Sequence, residues 1–144
     1  MVTPFHRFLP PLVLLGVLGG CEDRVAQCNE LIGRLNPHTE AMIAGVEGLA
    51  RIESDPGRLD ALVAAIDTAE AELSVLELQD PRLAGLALRY RKQLMDARAA
   101  VDAMRAATAK HDAAGLNAAA KQADAFLDAQ ASIVEELNAY CTGG

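Results

Sequence analysis

Three cysteines carry the most distinctive chemistry of this chain: Cys21, Cys28 and Cys141. A thiol can be acylated, can bind a metal or can pair in a disulfide, and its neighbours and compartment decide which of these it does. Cys28 and Cys141 are not part of a Cys-x-x-Cys pair, so they lack the spacing of a redox motif. Two uses therefore remain for them, a structural disulfide or two buried thiols that never bond.

Other residue types do not combine into a known catalytic motif. The sequence contains no glycine-rich phosphate loop, no Gly-x-Ser-x-Gly elbow, no His-Glu-x-x-His and no Glu-x-x-His pair. His38 stands beside Pro37 and His111 beside Asp112, each without a second ligand at metal-binding spacing. We expect no enzymatic activity, no metal and no cofactor.

Cys21 ends the run Leu18-Gly19-Gly20-Cys21, which follows the short apolar stretch Phe8–Leu18. This order is typical of a secretory signal, and the apolar stretch is too short to remain as a membrane span. The run resembles the lipobox of bacterial lipoproteins, and the resemblance covers only the first 21 positions. It implies cleavage before Cys21 and attachment of acyl chains such as palmitate to that cysteine. We expect a signal peptide at 1–20 and a mature domain at 21–144.

The same resemblance implies a location in the bacterial cell envelope, lipid-anchored and facing the periplasm. Two or more acyl chains give stable anchoring, so the mature chain is expected to stay on the membrane. The alternative is an ordinary cleaved signal with a free Cys21. In lipoprotein families an aspartate directly after the cysteine is the usual inner-membrane cue. Here Glu22 precedes Asp23, which favours the outer over the inner membrane.

Composition predicts an all-α fold. Aromatic residues make up 3% of the chain and tryptophan is absent, whereas alanine, leucine, glutamate and arginine are abundant. The formal net charge of −7 disfavours nucleic acid and anionic lipid headgroups as partners.

Apolar residues recur at threes and fours over four segments, which predicts four helices. They run from about Glu22 to Glu53, from Arg58 to Leu78, from Asp80-Pro81 to Lys110, and from Ala113 to Cys141. Pro37 lacks an amide donor, so the first helix is expected to kink or break there. Ser54–Gly57 and His111-Asp112 are predicted turns.

Short connections favour an antiparallel up-down-up-down four-helix bundle. The third helix is basic and is flanked in sequence by two acidic helices, so packing it between them would bring opposite charges together. Lys92 with Asp96 and Arg98 with Asp102 are four-apart pairs, which favours a neutralised surface over an anion site.

Gly33, Gly45 and Gly48 lie in the first predicted helix, where each costs roughly 1 kcal/mol relative to alanine. They either permit close approach of the alanine-rich fourth helix or keep the first helix loose. We favour close approach.

An antiparallel bundle places the start of the first helix beside the end of the last, so Cys28 and Cys141 are expected to meet. In an oxidising envelope such a pair forms a disulfide more readily than it stays reduced. A Cys28–Cys141 disulfide would close a loop of more than a hundred residues. In the chain-entropy model this would stabilise the fold by about 4–5 kcal/mol.

Function is expected to be binding rather than catalysis. The first hypothesis is a membrane-anchored interaction module, with a structural, chaperone-like or regulatory role toward an unidentified envelope protein. The alternative is a helical carrier that holds an apolar ligand in the bundle core. Loops on a rigid scaffold are favoured recognition sites, so Asp55 and Asp112, at the tip farthest from the anchor, are the predicted partner-binding residues.

Overall fold

The computed structural model describes residues 19–47, 55 and 57–143, with side chains in the first helix from residue 23 onward. This part of the chain is all helical, with no strand. The four helices are α1 (Gly19–Glu47), α2 (Gly57–Ser74), α3 (Pro81–Ala109) and α4 (Ala113–Cys141). None of these helices is long and apolar enough to cross a membrane.

α1 is one continuous helix that runs through Pro37. The alternative of a break at Pro37 is therefore wrong. The alternative of a kink stays a prediction, because a helix can bend at a proline without being interrupted. α1 begins at Gly19, three residues earlier than the apolar pattern predicted. The predicted continuation to Glu53 and most of the turn at 54–57 lie outside the described residues.

α2 ends at Ser74, four residues before the predicted end at Leu78. From Val75 to Asp80 the residues alternate between exposed and partly buried, as in extended chain. Leu76 and Leu78 pack on the core from this segment, so two leucines that resemble a helical face belong to an extended connection. The segment ends at Asp80, which is extended at φ −72° and ψ 118°, as a residue before proline prefers.

α3 and α4 have the boundaries that the sequence predicts, because each starts at a capping aspartate. The Asp80 carboxylate accepts hydrogen bonds from the amides of Arg82 and Leu83, and Pro81 occupies the first turn. The Asp112 carboxylate accepts a hydrogen bond from the amide of Gly115. These bonds satisfy amides that have no partner inside a helix.

The core is formed by one apolar face of each helix. α3 buries residues from Leu83 to Met104 along one face, and α4 contributes Ala119, Ala123, Phe126, Ile133 and Leu137. α1 and α2 contribute Leu31, Leu35, Met42, Leu59 and Ile66. Val25 is exposed, although it lies three residues before the buried Cys28, at a spacing that predicts the apolar face of α1. One polar residue, Gln130, is buried with the apolar ones.

Close approach at a glycine occurs between α1 and α2. A Cβ atom added to Gly45 would lie 2.8 Å from Cδ1 of Leu62. A Cβ at Gly33 would meet nothing within 4 Å, and Gly48 lies outside the described residues. Close packing at Gly45 is therefore against α2, and the predicted approach of α4 is wrong for Gly33 and Gly45, the two of these glycines that are described.

Candidate functional site

Two regions of the surface and one buried cluster hold the residues that bear on function. We call the first region the closed end, formed by Gln27, Cys28, Asp80, Tyr140 and Cys141. The second is the α2–α3 face, formed by Leu88 and Met95 of α3 and the two grooves that they border. The buried cluster, the central triad, consists of Thr39, Tyr90 and Gln130.

At the closed end, Cys28 and Cys141 are joined as a disulfide across 113 positions of sequence, with their Cα atoms 5.8 Å apart. Cys28 is buried and Cys141 is half-buried. Because Cys28 lies in an early turn of α1 and Cys141 is the last residue of α4, the bond ties the start of one helix to the end of the other.

Asp80, the last residue of the α2–α3 connection, bonds both to α3 and to α4 beside the disulfide. Its Oδ1 accepts from the α3 amides, and its Oδ2 accepts a 2.6 Å hydrogen bond from the Tyr140 hydroxyl of α4. The amides of Gln79 and Asp80 both donate to Oε1 of Gln27 in α1, at 2.7 and 2.9 Å. Side chains from α1 and α4 therefore hold the connection that starts α3.

Hydrogen bonding shifts two pKa values at this end. The Tyr140 hydroxyl, followed by the Leu83 and Arg82 amides and the nearby Arg24 charge, lowers the pKa of Asp80, and partial burial opposes this. The same bond to Asp80 raises the pKa of Tyr140. The guanidinium carbons of Arg24 and Arg82 lie 5.4 and 4.7 Å from the centre of the Tyr140 ring, at cation–π distance.

The central triad lies where α1, α3 and α4 meet. Nε2 of Gln130 donates to the Tyr90 hydroxyl at 2.6 Å and to Oγ1 of Thr39 at 3.2 Å, and the two hydroxyls are 3.2 Å apart. The ring of Tyr90 is fully buried, as the sequence predicts for a core aromatic residue. It occupies the region where an apolar ligand would have to bind, so the geometry there gives the ligand-carrier alternative no support.

Charged residues of α3 form ion pairs with both neighbouring helices. Arg91, Arg98 and Arg105 pair with Glu70, Asp67 and Asp60 of α2, and Arg89 makes two bonds of 2.7 and 2.8 Å to Glu136 of α4. The Lys92–Asp96 and Arg98–Asp102 pairs are present as predicted. The arginine row is therefore neutralised by acidic partners.

Leu88 and Met95 of the α2–α3 face are 66% and 65% exposed. Val75, in the connection after α2, is 73% exposed. Leu88 borders a groove of about 450 Å³ with Leu76 and Leu78. Met95 borders a second groove of about 470 Å³ with Ile66 and Leu94. Glu70 and Arg91, which form an ion pair, each line one of the two grooves.

Both residues predicted to bind a partner have structural contacts. Asp112 caps α4 and borders a groove at the α3–α4 corner, together with His111 and Leu116. Asp55 is exposed and pairs with Arg58 at 3.2 Å. Gly57 and Thr108 line one groove, so the start of α2 lies near the end of α3. Local contacts thus explain why each of these turns contains an aspartate. A role of Asp55 and Asp112 in partner recognition remains a prediction.

The other predicted positions are distributed as follows. Cys21 belongs to the backbone of α1, and its side chain lies outside the described atoms. Nε2 of His38 contacts Oε2 of Glu72 at 3.1 Å, while His111 lies at the α3–α4 corner with φ 52°. Among the described side chains, no three of histidine, cysteine, aspartate or glutamate come together as metal ligands would.

Sequence reasoning missed Gln27, Gln130 and the α2–α3 face. Gln27 gives no sequence signal, since its partners are 52 and 53 positions away. Leu88 and Met95 do give one, because they are seven residues apart and lie off the buried face of α3. No protein-family model matches this chain, and neither a curated protein nor a solved structure matches it significantly, so its geometry alone must indicate its function.

Proposed function

We propose that this chain is a lipid-anchored bacterial envelope protein that binds a protein partner without catalysis. The observation that carries the proposal is the α2–α3 face, where Leu88 and Met95 are about two-thirds exposed and each borders a groove lined with other apolar side chains. Apolar patches of this kind, bordered by polar groups, are characteristic of interaction sites. We propose a protein partner, because the Glu70–Arg91 ion pair lies between the two grooves and its polar groups suit a protein surface better than lipid chains.

The proposed architecture is an antiparallel up-down-up-down bundle. Contacts along α2 and α3 support it, since Asp60 pairs with Arg105 whereas the later Glu70 pairs with the earlier Arg91. The Cys28–Cys141 bond joins the start of α1 to the end of α4, which supports opposite directions for these two helices as well. Within this arrangement we propose that α1 bends at Pro37, where one amide donor is missing.

The proposed anchor is an acylated Cys21 after removal of residues 1–20, with the domain on the periplasmic side of the outer membrane. The lipobox at Leu18–Cys21 supports this, as does the disulfide geometry of Cys28 and Cys141, since disulfides persist in an oxidising compartment.

Replacement of Cys21 by serine tests the anchor. Cys21→Ser should move the protein from the membrane fraction to the soluble envelope fraction and should remove the mass of the acyl chains. Cys141→Ser is the matched control, because it changes a cysteine outside the lipobox and should leave the protein on the membrane. Labelling of Cys21→Ser by a fatty-acid analogue would contradict the proposal.

Site-specific photo-crosslinking in native membranes tests the binding face. A photoreactive residue at Leu88 or Met95 should capture a protein far more efficiently than one at Lys121, an exposed position on α4. Leu88→Glu should reduce capture from position 95, since a charge would have to be buried at the interface.

Crosslinkers at Asp55 and Asp112 compare the tip with the face. Strongest capture at those two positions would assign recognition to the tip and would refute the α2–α3 face. Equal capture at Leu88, Met95 and Lys121 would also refute it.

A further inference from the structure

Val25 is an apolar residue whose exposure the bundle does not explain. It is 48% exposed, although it lies only three residues before the buried Cys28. α1 is already helical at Gly19 and continues through this point. The helix therefore connects position 21 to the disulfide without a flexible linker.

Helical geometry sets the distances from the proposed anchor. With a rise of about 1.5 Å per residue, Val25 lies roughly 6 Å and Cys28 roughly 10 Å along the axis from position 21. Positions 21, 25 and 28 follow the spacing of one helix side. If position 21 is held at the bilayer surface, Val25 lies within the thickness of the headgroup layer.

The polar groups at the closed end suit that layer. Tyr140 lies at the same end of the molecule, with Arg24 and Arg82 over its ring. Tyrosine is enriched at membrane–water interfaces, and arginine can bury its carbon chain while its charge stays in water.

We infer that the first two turns of α1 lie in the lipid headgroup layer and that Val25 is buried there, so the closed end rests directly on the bilayer. This rests on the proposed acylation of Cys21. The occupant of this edge is the lipid bilayer itself, because the helix leaves no length of chain with which to stand away from the membrane.

Ile43 provides an internal control. It is 43% exposed, nearly as much as Val25, and lies 18 residues further along α1. Eighteen residues make five full turns, so Ile43 lies on the same side of the helix about 27 Å away. An apolar residue of equal exposure is thus present beyond the reach of the headgroups.

Tryptophan fluorescence tests the inference, because the chain contains no tryptophan of its own. Val25→Trp and Ile43→Trp are made in the full chain, processed in bacteria and reconstituted into vesicles of phosphatidylethanolamine and phosphatidylglycerol. The vesicles contain a phospholipid with a spin label on its headgroup. The Val25→Trp protein should show blue-shifted emission and severalfold stronger quenching than the Ile43→Trp protein. Asn29→Trp, one turn after position 25, should give intermediate quenching.

The outcomes separate the inference from the anchor on which it rests. Acyl mass on the protein together with equal quenching at positions 25 and 43 would overturn the membrane contact and leave the anchor intact. Absence of acyl mass would overturn both. A nonreducing peptide map that shows Cys28 joined to Cys141 confirms that each tryptophan variant has folded, and quenching at Asn29→Trp decides the matter if Val25→Trp does not fold.

Discussion

The two tyrosines of this chain have opposite surroundings. Tyr90 is buried in the central triad, where its hydroxyl meets an amide and a second hydroxyl. Tyr140 lies near the surface and donates to the charged Asp80. Sequence spacing could not reveal their polar partners, which lie 40 to 60 positions away.

Both environments disfavour the phenolate, so both tyrosines should resist ionisation. Burial raises the pKa of Tyr90, partly offset by its hydrogen bonds to Thr39 and Gln130. The bond to Asp80 raises the pKa of Tyr140. Because both folded-state pKa values exceed the unfolded value of about 10, stability is unaffected below that pH and falls as the pH rises above it.

Ultraviolet titration of phenolate measures this directly, since the chain has two tyrosines and no tryptophan. Little phenolate should form near pH ~10, where a free tyrosine is half ionised. Ionisation should coincide with loss of helical circular dichroism. Tyr140→Phe isolates Tyr90 and should preserve the delay. A normal titration curve in the folded Tyr140→Phe protein would refute the buried triad.

Helix boundaries were predictable where a capping residue marks them. Asp80-Pro81 and Asp112 define the starts of α3 and α4 because their side chains bond to amides two or three residues away. The end of α2 was not predictable, because Leu76 and Leu78 continue the apolar spacing of the helix although they belong to the connection after it. Pairs within one helix, such as Lys92–Asp96, follow from spacing. Ion pairs between helices, such as Arg91–Glu70, cannot be predicted from spacing alone, because they also depend on how each helix is rotated about its axis.

Asp80 starts α3 and also bonds to α4, so its replacement should separate the two contributions. Asp80→Asn retains a capping oxygen and should cost little, whereas Asp80→Ala should cost about 1–2 kcal/mol. The pKa of Asp80 is lowered in the folded protein, chiefly by Tyr140. The stabilisation by its charge is therefore present above the unfolded pKa of about 3.9 and is lost as the pH falls through the lower folded value.

Urea unfolding at neutral and acidic pH measures both effects. The stability difference between the wild type and Asp80→Asn should disappear in acid, while the cost of Asp80→Ala persists in part. Asp112→Ala is the control for a helix cap, because Asp112 accepts from Gly115 without a tyrosine partner. A difference between wild type and Asp80→Asn that grows in acid would contradict the assignment.

At the scale of the molecule, different kinds of contact hold the helices together at the two ends. The closed end combines a disulfide, a tyrosine–aspartate bond and a glutamine that holds two backbone amides. The opposite end is described through the Asp112 cap and surface ion pairs such as Arg105–Asp60. Exposed ion pairs contribute little each. Among the described residues, the bonds that join separate helices at the closed end thus include a covalent one.

Loss of the Cys28–Cys141 bond should destabilise the whole domain and loosen the start of α1 most. The chain-entropy model gives about 4–5 kcal/mol for a loop of this length. Cys28→Ala with Cys141→Ala should therefore lower the melting temperature by several degrees or more. Amides from Arg24 to Glu30 should also exchange faster than those of α3, because the covalent link of that turn to α4 would be lost while Gln27 and Arg24 make weaker polar contacts. Reduction of the wild type should reproduce both effects and should leave the double variant unchanged. Free alkylation of both thiols in the native, unreduced protein would show that the bond does not form.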